Sequence, residues 1–201
     1  PIYVSKATIL PVDDELSLQQ NLFSAVGLGQ NSKSKTYFEA FAIAQSKDFI
    51  WKFIKQQNLQ DEIIDRAMVL PEVFSSEKNY SKDFQTNTFL KEFLYVDDRS
   101  KDNVIILNIK STSGEKSQIL LENYIAGLRE EIANRKLGTE KNLIKNLKKL
   151  MDIEIDVKIK SLITELIEQK EAELKINENK LDYIFKVIDS PSSPIKPDSP
   201  R

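Results

Sequence analysis

The chain has 201 residues, 40% hydrophobic and 30% charged, with a formal net charge of −2; this suits one domain, or one domain with an elongated extension. Its 29 basic and 31 acidic side chains leave no basic footprint for nucleic acid. Neither Cys nor His is present, which excludes thiol catalysis, disulfides, zinc sites built on those ligands and a histidine general base; five glycines argue against a Gly-rich phosphate loop.

No stretch approaches the roughly 20 apolar residues of a membrane span. Val104 to Leu107 is among the longest apolar runs, and Phe49 to Ile54 is broken by Lys52. No signal peptide opens the chain, and its start on Pro1 rather than Met reads as a piece of a longer protein. In chain order, Ile2 to Leu10 is rich in β-branched and aromatic types and predicts a strand. Asp13-Asp14-Glu15 supplies the acidic first turn of a helix carrying Leu18, Leu22 and Val26, stopped at Gly27 and Gly29. Thr36 to Gln45 predicts the next helix, with Phe38, Phe41 and Ala42. Ser46 then caps a helix whose apolar face is Phe49, Ile50, Phe53 and Ile54. Asn58 to Pro71 reads as a short helix ended by its proline. Residues 72–100 are polar, with a helix expected around Thr88 to Leu94. Val104 to Ile109 is the clearest strand, and its unbroken apolar run predicts burial on both faces.

From Glu115 the character changes. Residues 139–190 contain neither proline nor glycine, so nothing there breaks a helix strongly. Leu121, Ile125, Leu128 and Ile132, then Leu143, Leu147 and Leu150, step by three and four, the spacing of one buried helical stripe. Met151 to Lys160 carries two patterns. Met151, Ile153, Ile155, Val157 and Ile159 alternate with charged residues as in a strand, while Ile155, Ile159, Leu162 and Leu166 continue the helical stripe. Helix is the preferred reading, because an isolated strand would have no partner. One helix over 115–178 would span about 95 Å at about 1.5 Å per residue. Its stripe would need a returning helix or further copies of the chain to cover it. Tyr183 to Ile188 predicts a last strand, and Ser190 to Arg201, with Pro191, Pro194, Pro197 and Pro200, an extended tail.

The chemical census is thin. Asp13/Asp14, Asp97/Asp98 and Glu130/Glu131 are carboxylate pairs, but adjacent carboxylates without His or Gly read as solvated side chains. Mixed charges such as Glu154/Lys158 read as i,i+4 pairs on a soluble helix face. Phe49 and Phe53 read as core; Phe41 and Trp51 complete an aromatic set that a sugar platform would also use. Asn79-Tyr80-Ser81 matches a glycosylation acceptor only as a pattern. No catalytic, cofactor-binding or metal-ligating residues are assigned.

Several segments resemble one family. Tyr183-Ile-Phe-Lys-Val-Ile-Asp-Ser-Pro-Ser-Ser-Pro-Ile-Lys-Pro-Asp-Ser-Pro-Arg201 is similar to the proline-rich segment before the second transmembrane helix of Wzz-type chain-length determinants, the polysaccharide co-polymerases of bacterial O-antigen and capsule assembly. Phe38-Glu-Ala-Phe41 with Ser46-Lys-Asp-Phe49 and Phe53 resembles its helix pair. Val104-Ile-Ile-Leu-Asn-Ile-Lys110, with Ser113-Gly-Glu115 and Glu122-Asn-Tyr-Ile125, resembles its central strand entering the long helix. Tyr3 to Leu10 resembles its first strand. The resemblance covers the whole chain, in order.

It implies an α/β (α+β), helix-dominated fold: a small membrane-proximal base with a mixed sheet, 1–114 together with 181–201, and a long protruding helical extension, 115–180. It implies the periplasmic domain of a bacterial inner-membrane protein, attached through flanking transmembrane helices absent from this chain. It also implies a homo-oligomer that acts with the polysaccharide polymerase, and on the growing polysaccharide, to set chain length, with no catalytic residues and no cofactor. Such a base needs Tyr3 to Leu10, Val104 to Ile109 and Tyr183 to Ile188 in one sheet. A coiled-coil scaffold or adaptor of an envelope export complex, the other reading, does not; an enzyme of unseen type is a third. One departure stands out. Only Ile176 to Leu181 separates the long helix from the last strand, and six residues of at most ~3.6 Å each cannot return from the end of a ~95 Å helix. Either the helix breaks near Met151 to Asp156 and folds back, or the chain lacks residues that the family has.

Overall fold

The computed structural model describes residues 1–12, 35–68, 81–99, 101–153, 156–177 and 184–198. The expected helix at Leu18 to Val26, Pro71, Asn79, Glu154 and Tyr183 lie outside them. The described residues form four strands and six helices. Strand β1, Tyr3–Pro11, pairs with β3, Val104–Ser111, on one side and with β4, Phe185–Asp189, on the other. Strand β2, Leu94–Arg99, forms the far edge, giving the order β2-β3-β1-β4. The first, central and last expected strands thus share one sheet, with Ile9 opposite both Ile105 and Val187.

Every pairing is antiparallel, where a mixed sheet was expected. The connections explain this. β2 and β3 are a hairpin, turned with the help of Asn103 at φ 55, and Asn is among the residues that tolerate the left-handed region. No strand is followed by a parallel neighbour of the kind that a crossover would supply. β2 itself was not foreseen. The helix expected around Thr88 to Leu94 lies earlier, at Lys82–Glu92, and Leu94 already belongs to the strand. β3 also departs from burial on both faces. Ile105, Leu107 and Ile109 are fully buried, whereas Ile106 and Asn108 are only half-buried, because a two-faced antiparallel sheet here has a single packed side.

That packed side is covered by helices in chain order: α1, Lys35–Ala44; α2, Lys47–Gln56; α3, Gln60–Met68; and α4, Lys82–Glu92. Two starts are set by serine caps. Ser46 Oγ accepts from the Phe49 amide at 3.3 Å and Ser81 Oγ from the Phe84 amide at 3.2 Å, each occupying a donor that the helix leaves free. α2 buries Phe49, Ile50, Phe53 and Ile54, the face read from the sequence. Helix α5, Gly114–Ile153, packs on β1 and β3 and unites the core, burying Leu121, Tyr124, Ile125, Leu128 and Ile132.

The long helix breaks and folds back. α5 ends at Ile153 and α6, Val157–Asn177, runs antiparallel along it. The contact pairs show the direction. Lys148 Nζ meets Glu171 Oε1 at 2.7 Å, and Thr164 Oγ1 donates to Met151 Sδ at 3.5 Å, so later residues of α5 meet earlier residues of α6. Asp156 starts α6, its Oδ1 accepting from the amides of Lys158 (2.7 Å) and Ile159 (3.3 Å). The described part of 151–160 is therefore helical rather than strand, with Met151 to Ile153 ending α5 and Val157 to Lys160 starting α6 behind the Asp156 cap. The ~95 Å rod is replaced by a helix of 40 residues, about 60 Å, with a 21-residue partner.

Candidate interaction surface

Of the carboxylates noted in the sequence, Asp97, Asp98 and Glu131 have structural partners, and Glu130 is exposed. Asp97 accepts from Arg99 Nε at 2.9 Å. Asp98 accepts from the Tyr37 hydroxyl at 2.5 Å; burial, then that bond and the carboxylate's charge, hold the phenol well above its usual range. Glu131 accepts from Lys52 Nζ and from Arg135 Nε, both at 2.9 Å. Asp13 and Asp14 lie outside the described residues. Among the described residues no group of His, Cys, Asp or Glu could hold a metal ion, and no helix is long and apolar enough to cross a membrane.

The aromatics are core. Tyr124 is fully buried among Phe49 (ring centroids 5.1 Å), Phe53 (5.0 Å) and Phe89 (6.5 Å), and its hydroxyl donates to the Ala44 carbonyl. Burial raises its phenol far above the ordinary value. Phe41 stacks on Tyr37 at 6.1 Å, and Trp51 lies half-buried with Lys55 Nζ 4.8 Å above its ring. No stacked platform stands open to a sugar among these residues.

One groove of about 510 Å³ escaped the sequence reading. Gln57, Asn58, Glu62, Ser113, Lys116 and Ile119 line it, and they come from α3, its preceding turn and the start of α5. Asp61 and Glu115 also line it and are exposed, while Glu62 takes Lys116 Nζ at 2.6 Å and lies 3.8 Å from Arg66, whose guanidinium stacks 4.1 Å from the centre of the Phe93 ring. These partners are separated by up to 54 positions, which no local pattern records.

An exposed apolar surface lies on the helical hairpin. Its inner seam buries Ile144 and Ile167, with Leu147 half-buried. Leu143 and Leu150 on α5, and Ile159, Leu162 and Leu166 on α6, face outward, Leu162 being 65% exposed. Ile153 and Val157, flanking the turn, are 76% and 80% exposed. The single stripe read from the sequence is thus divided. Leu121, Ile125, Leu128 and Ile132 are buried in the core of the base, where a returning helix or further copies were expected to cover them; in the distal half Ile144 takes the seam, and Leu143 and Leu150 remain outside. Ile159, Leu162 and Leu166 are spaced by three and four, so they share one face of α6.

The base of α5 carries a pH-sensitive contact. Hydrogen bonding to Lys52 is the main cause holding the Glu131 carboxyl below its usual range; Arg135 adds to it. Its side chain is only 15% exposed. A carboxyl with a lower pKa folded than unfolded contributes stability above its unfolded value of about 4.3, and that contribution disappears as pH falls towards the folded value. Acid unfolding of the native chain should accordingly start at a pH where Glu131→Gln shows a flatter stability profile. Parallel profiles of the two proteins below pH ~4.3, followed by circular dichroism, would show that the contact is not linked to protons.

No protein-family model and no curated protein matches the chain. Among solved structures the chain is similar to a fragment of WzzB, a polysaccharide co-polymerase from Salmonella Typhimurium, at 18% identity and a TM-score of 0.46 over 100% of both chains. It is also similar to an alanine-to-proline mutant of the Shigella flexneri lipopolysaccharide O-antigen chain-length regulator WzzB, at 12% identity and a TM-score of 0.32, over 98% of this chain and 100% of that one.

Proposed function

We propose that this chain is the periplasmic domain of a Wzz-type polysaccharide co-polymerase of the bacterial inner membrane. In this reading it regulates the length of a surface polysaccharide, O-antigen or a related polymer, and it catalyses no reaction. It works as a homo-oligomeric scaffold beside the polymerase, with 1–114 and 181–201 as the base and 115–180 as the extension.

The observation that carries the proposal is the placement of the two chain ends. β4 is laid against β1, and the Asp198 amide donates to the Ile2 carbonyl at 2.8 Å, so segments entering before Ile2 and leaving after Asp198 meet at one edge. Two flanking membrane helices need that arrangement, and a free coiled-coil scaffold does not. The unpartnered Ile159, Leu162 and Leu166 face suits association of copies, since an apolar row of that kind gains from being covered.

The test is complementation of a strain lacking its chain-length regulator with the full-length gene, read as the length distribution of the surface polysaccharide on a gel. A restored modal length is expected. A random distribution from a protein that is expressed and membrane-inserted would remove the proposal and favour the export-scaffold reading.

A further inference from the structure

We infer that the corner between the edge of β1 and the first turn of α5 is a docking seat for the chain's own proline-rich segment, Pro191 to Asp198, and that Gly114 is the residue that admits it. The inference rests on the reading above only for what the tail then leads to; the seat itself stands on geometry.

A side chain at Gly114 has no room. An added Cβ would fall 2.6 Å from the Pro194 carbonyl oxygen and 2.9 Å from Ser193 Oγ, closer than carbon tolerates, and the first of these is backbone, which cannot rotate away. On the sheet side Ser5, which is buried, donates from Oγ to the Ser192 carbonyl at 3.0 Å. Further along, the Asp198 amide donates to the Ile2 carbonyl at 2.8 Å. The tail is therefore held by two hydrogen bonds through its backbone, at Ser192 and Asp198, and passes close against Gly114 between them. Small residues make the close approach possible: Ser5 on β1, Gly114 at the helix start, and Ser117 one turn on, fully buried with its hydroxyl returned to the Gly114 carbonyl at 2.8 Å.

The tail's own pattern fits such a seat. Its prolines fall every third residue, and a polyproline helix has three residues per turn, so Pro191 and Pro194 share a ridge. Those two are half-buried, while Ser192, Ser193, Ile195 and Lys196 are exposed. Proline restricts the free segment beforehand, which lowers the entropy lost on docking. Few of these contacts are apolar, so the seat holds the strap by fit and backbone bonds, in a way that one methyl group can undo.

Gly114→Ala gives the inference a test of sign. Alanine is the better helix former, so with an empty corner the change should be neutral or stabilising. With the strap seated, it should expel the tail. The chain lacks Cys, so Lys91→Cys and Ile195→Cys provide unique spin-label sites, both exposed. In the otherwise native chain the inter-label distance should be narrowly distributed. It should lengthen and broaden in Gly114→Ala, and more so in Gly114→Val, with the circular dichroism spectrum retained. Pro191→Gly with Pro194→Gly, which leaves Ser5 and Gly114 untouched, should broaden it as well and covers the case in which Gly114→Val fails to fold. A narrow, unchanged distribution in Gly114→Ala and in the tail variant, or a broad one in the native sequence, would overturn the inference. In the full-length protein Gly114→Val should shift the polysaccharide length mode. If the native gene fails to complement, the function proposed above fails while the label experiment still decides the seat.

Discussion

Replacing Tyr124 with alanine should lower the unfolding free energy by roughly 3–5 kcal/mol, the range for deleting a large buried aromatic. Tyr124 is fully buried and lies where α5 meets α1, α2 and α4: Phe49 and Phe53 from α2 and Phe89 from α4 meet its ring, and its hydroxyl donates to the Ala44 carbonyl at the end of α1. Removing the ring leaves a cavity lined by three phenylalanines that cannot collapse without moving two helices. Tyr124→Phe separates the terms. It keeps the packing and loses only the hydrogen bond, leaving the Ala44 carbonyl unpaired, so about 1–3 kcal/mol should be lost. A domain of ordinary stability, about 5–15 kcal/mol, survives the second change and is marginal after the first. Urea unfolding midpoints of the three proteins check this. Equal losses for Ala and Phe would mean that the aromatic cluster contributes little.

Under the proposed function, a charge on the outer face of the hairpin should abolish length control without unfolding the chain. Leu162 is 65% exposed, so Leu162→Glu in the isolated chain should change stability by no more than about 0.5 kcal/mol, as exposed substitutions do. Leu166→Lys, nearer the seam, should cost somewhat more. Covered by a second copy, the same charge would lie unpaired in an apolar contact, at a cost of several kcal/mol. Ile167→Glu is the contrasting change, since Ile167 is 7% exposed and buried within the chain's own seam; it should loosen the hairpin itself. The expected pattern is an unchanged melting curve with lost assembly and an altered polysaccharide profile for Leu162→Glu, and a lowered melting temperature for Ile167→Glu. A Leu162→Glu protein with a native polysaccharide profile would show that this face has no partner in function. Alanine at Asp97 or Glu130 should leave the profile largely intact.

The two halves of the molecule differed in how far they could be read. Ser46 with Phe49, Ile50, Phe53 and Ile54 states a cap and a face in nine residues, and α2 has both. β1 and β3 are rich in β-branched residues, and they form where expected. β2 is different: Tyr95, Asp97, Asp98 and Arg99 look like loop, and only the partner β3 makes them a strand. The break at Asp156 was one of two open choices, because the capping aspartate sits inside a pattern that serves helix and strand equally. What the distal stripe faces was illegible for a further reason. Leu143 and Ile144 are adjacent in sequence and point about 100° apart on the helix, so the setting of α5 about its axis, fixed by contacts in the base, decides which of them enters the seam. The tail's composition was plain in the sequence, whereas its seat depends on Gly114 and Ser5, two small residues far from it along the chain.

The length of α5 has a mechanical consequence. Its first half is clamped to the sheet from Leu121 to Ile132, and its second half carries the turn of the hairpin at the far end of about 60 Å. It therefore acts as a lever with its fulcrum in the base. A rotation of the base by about 5° sweeps the Ile153 end through about 3 Å, the arc of the ~30 Å arm beyond Ile132 and on the scale of two residue rises. Angular differences too small to disturb the packing around Tyr124 become side-chain-sized shifts at the tip. In the proposed homo-oligomer, the spacing between neighbouring tips would accordingly be set by angles fixed in the base, many residues away.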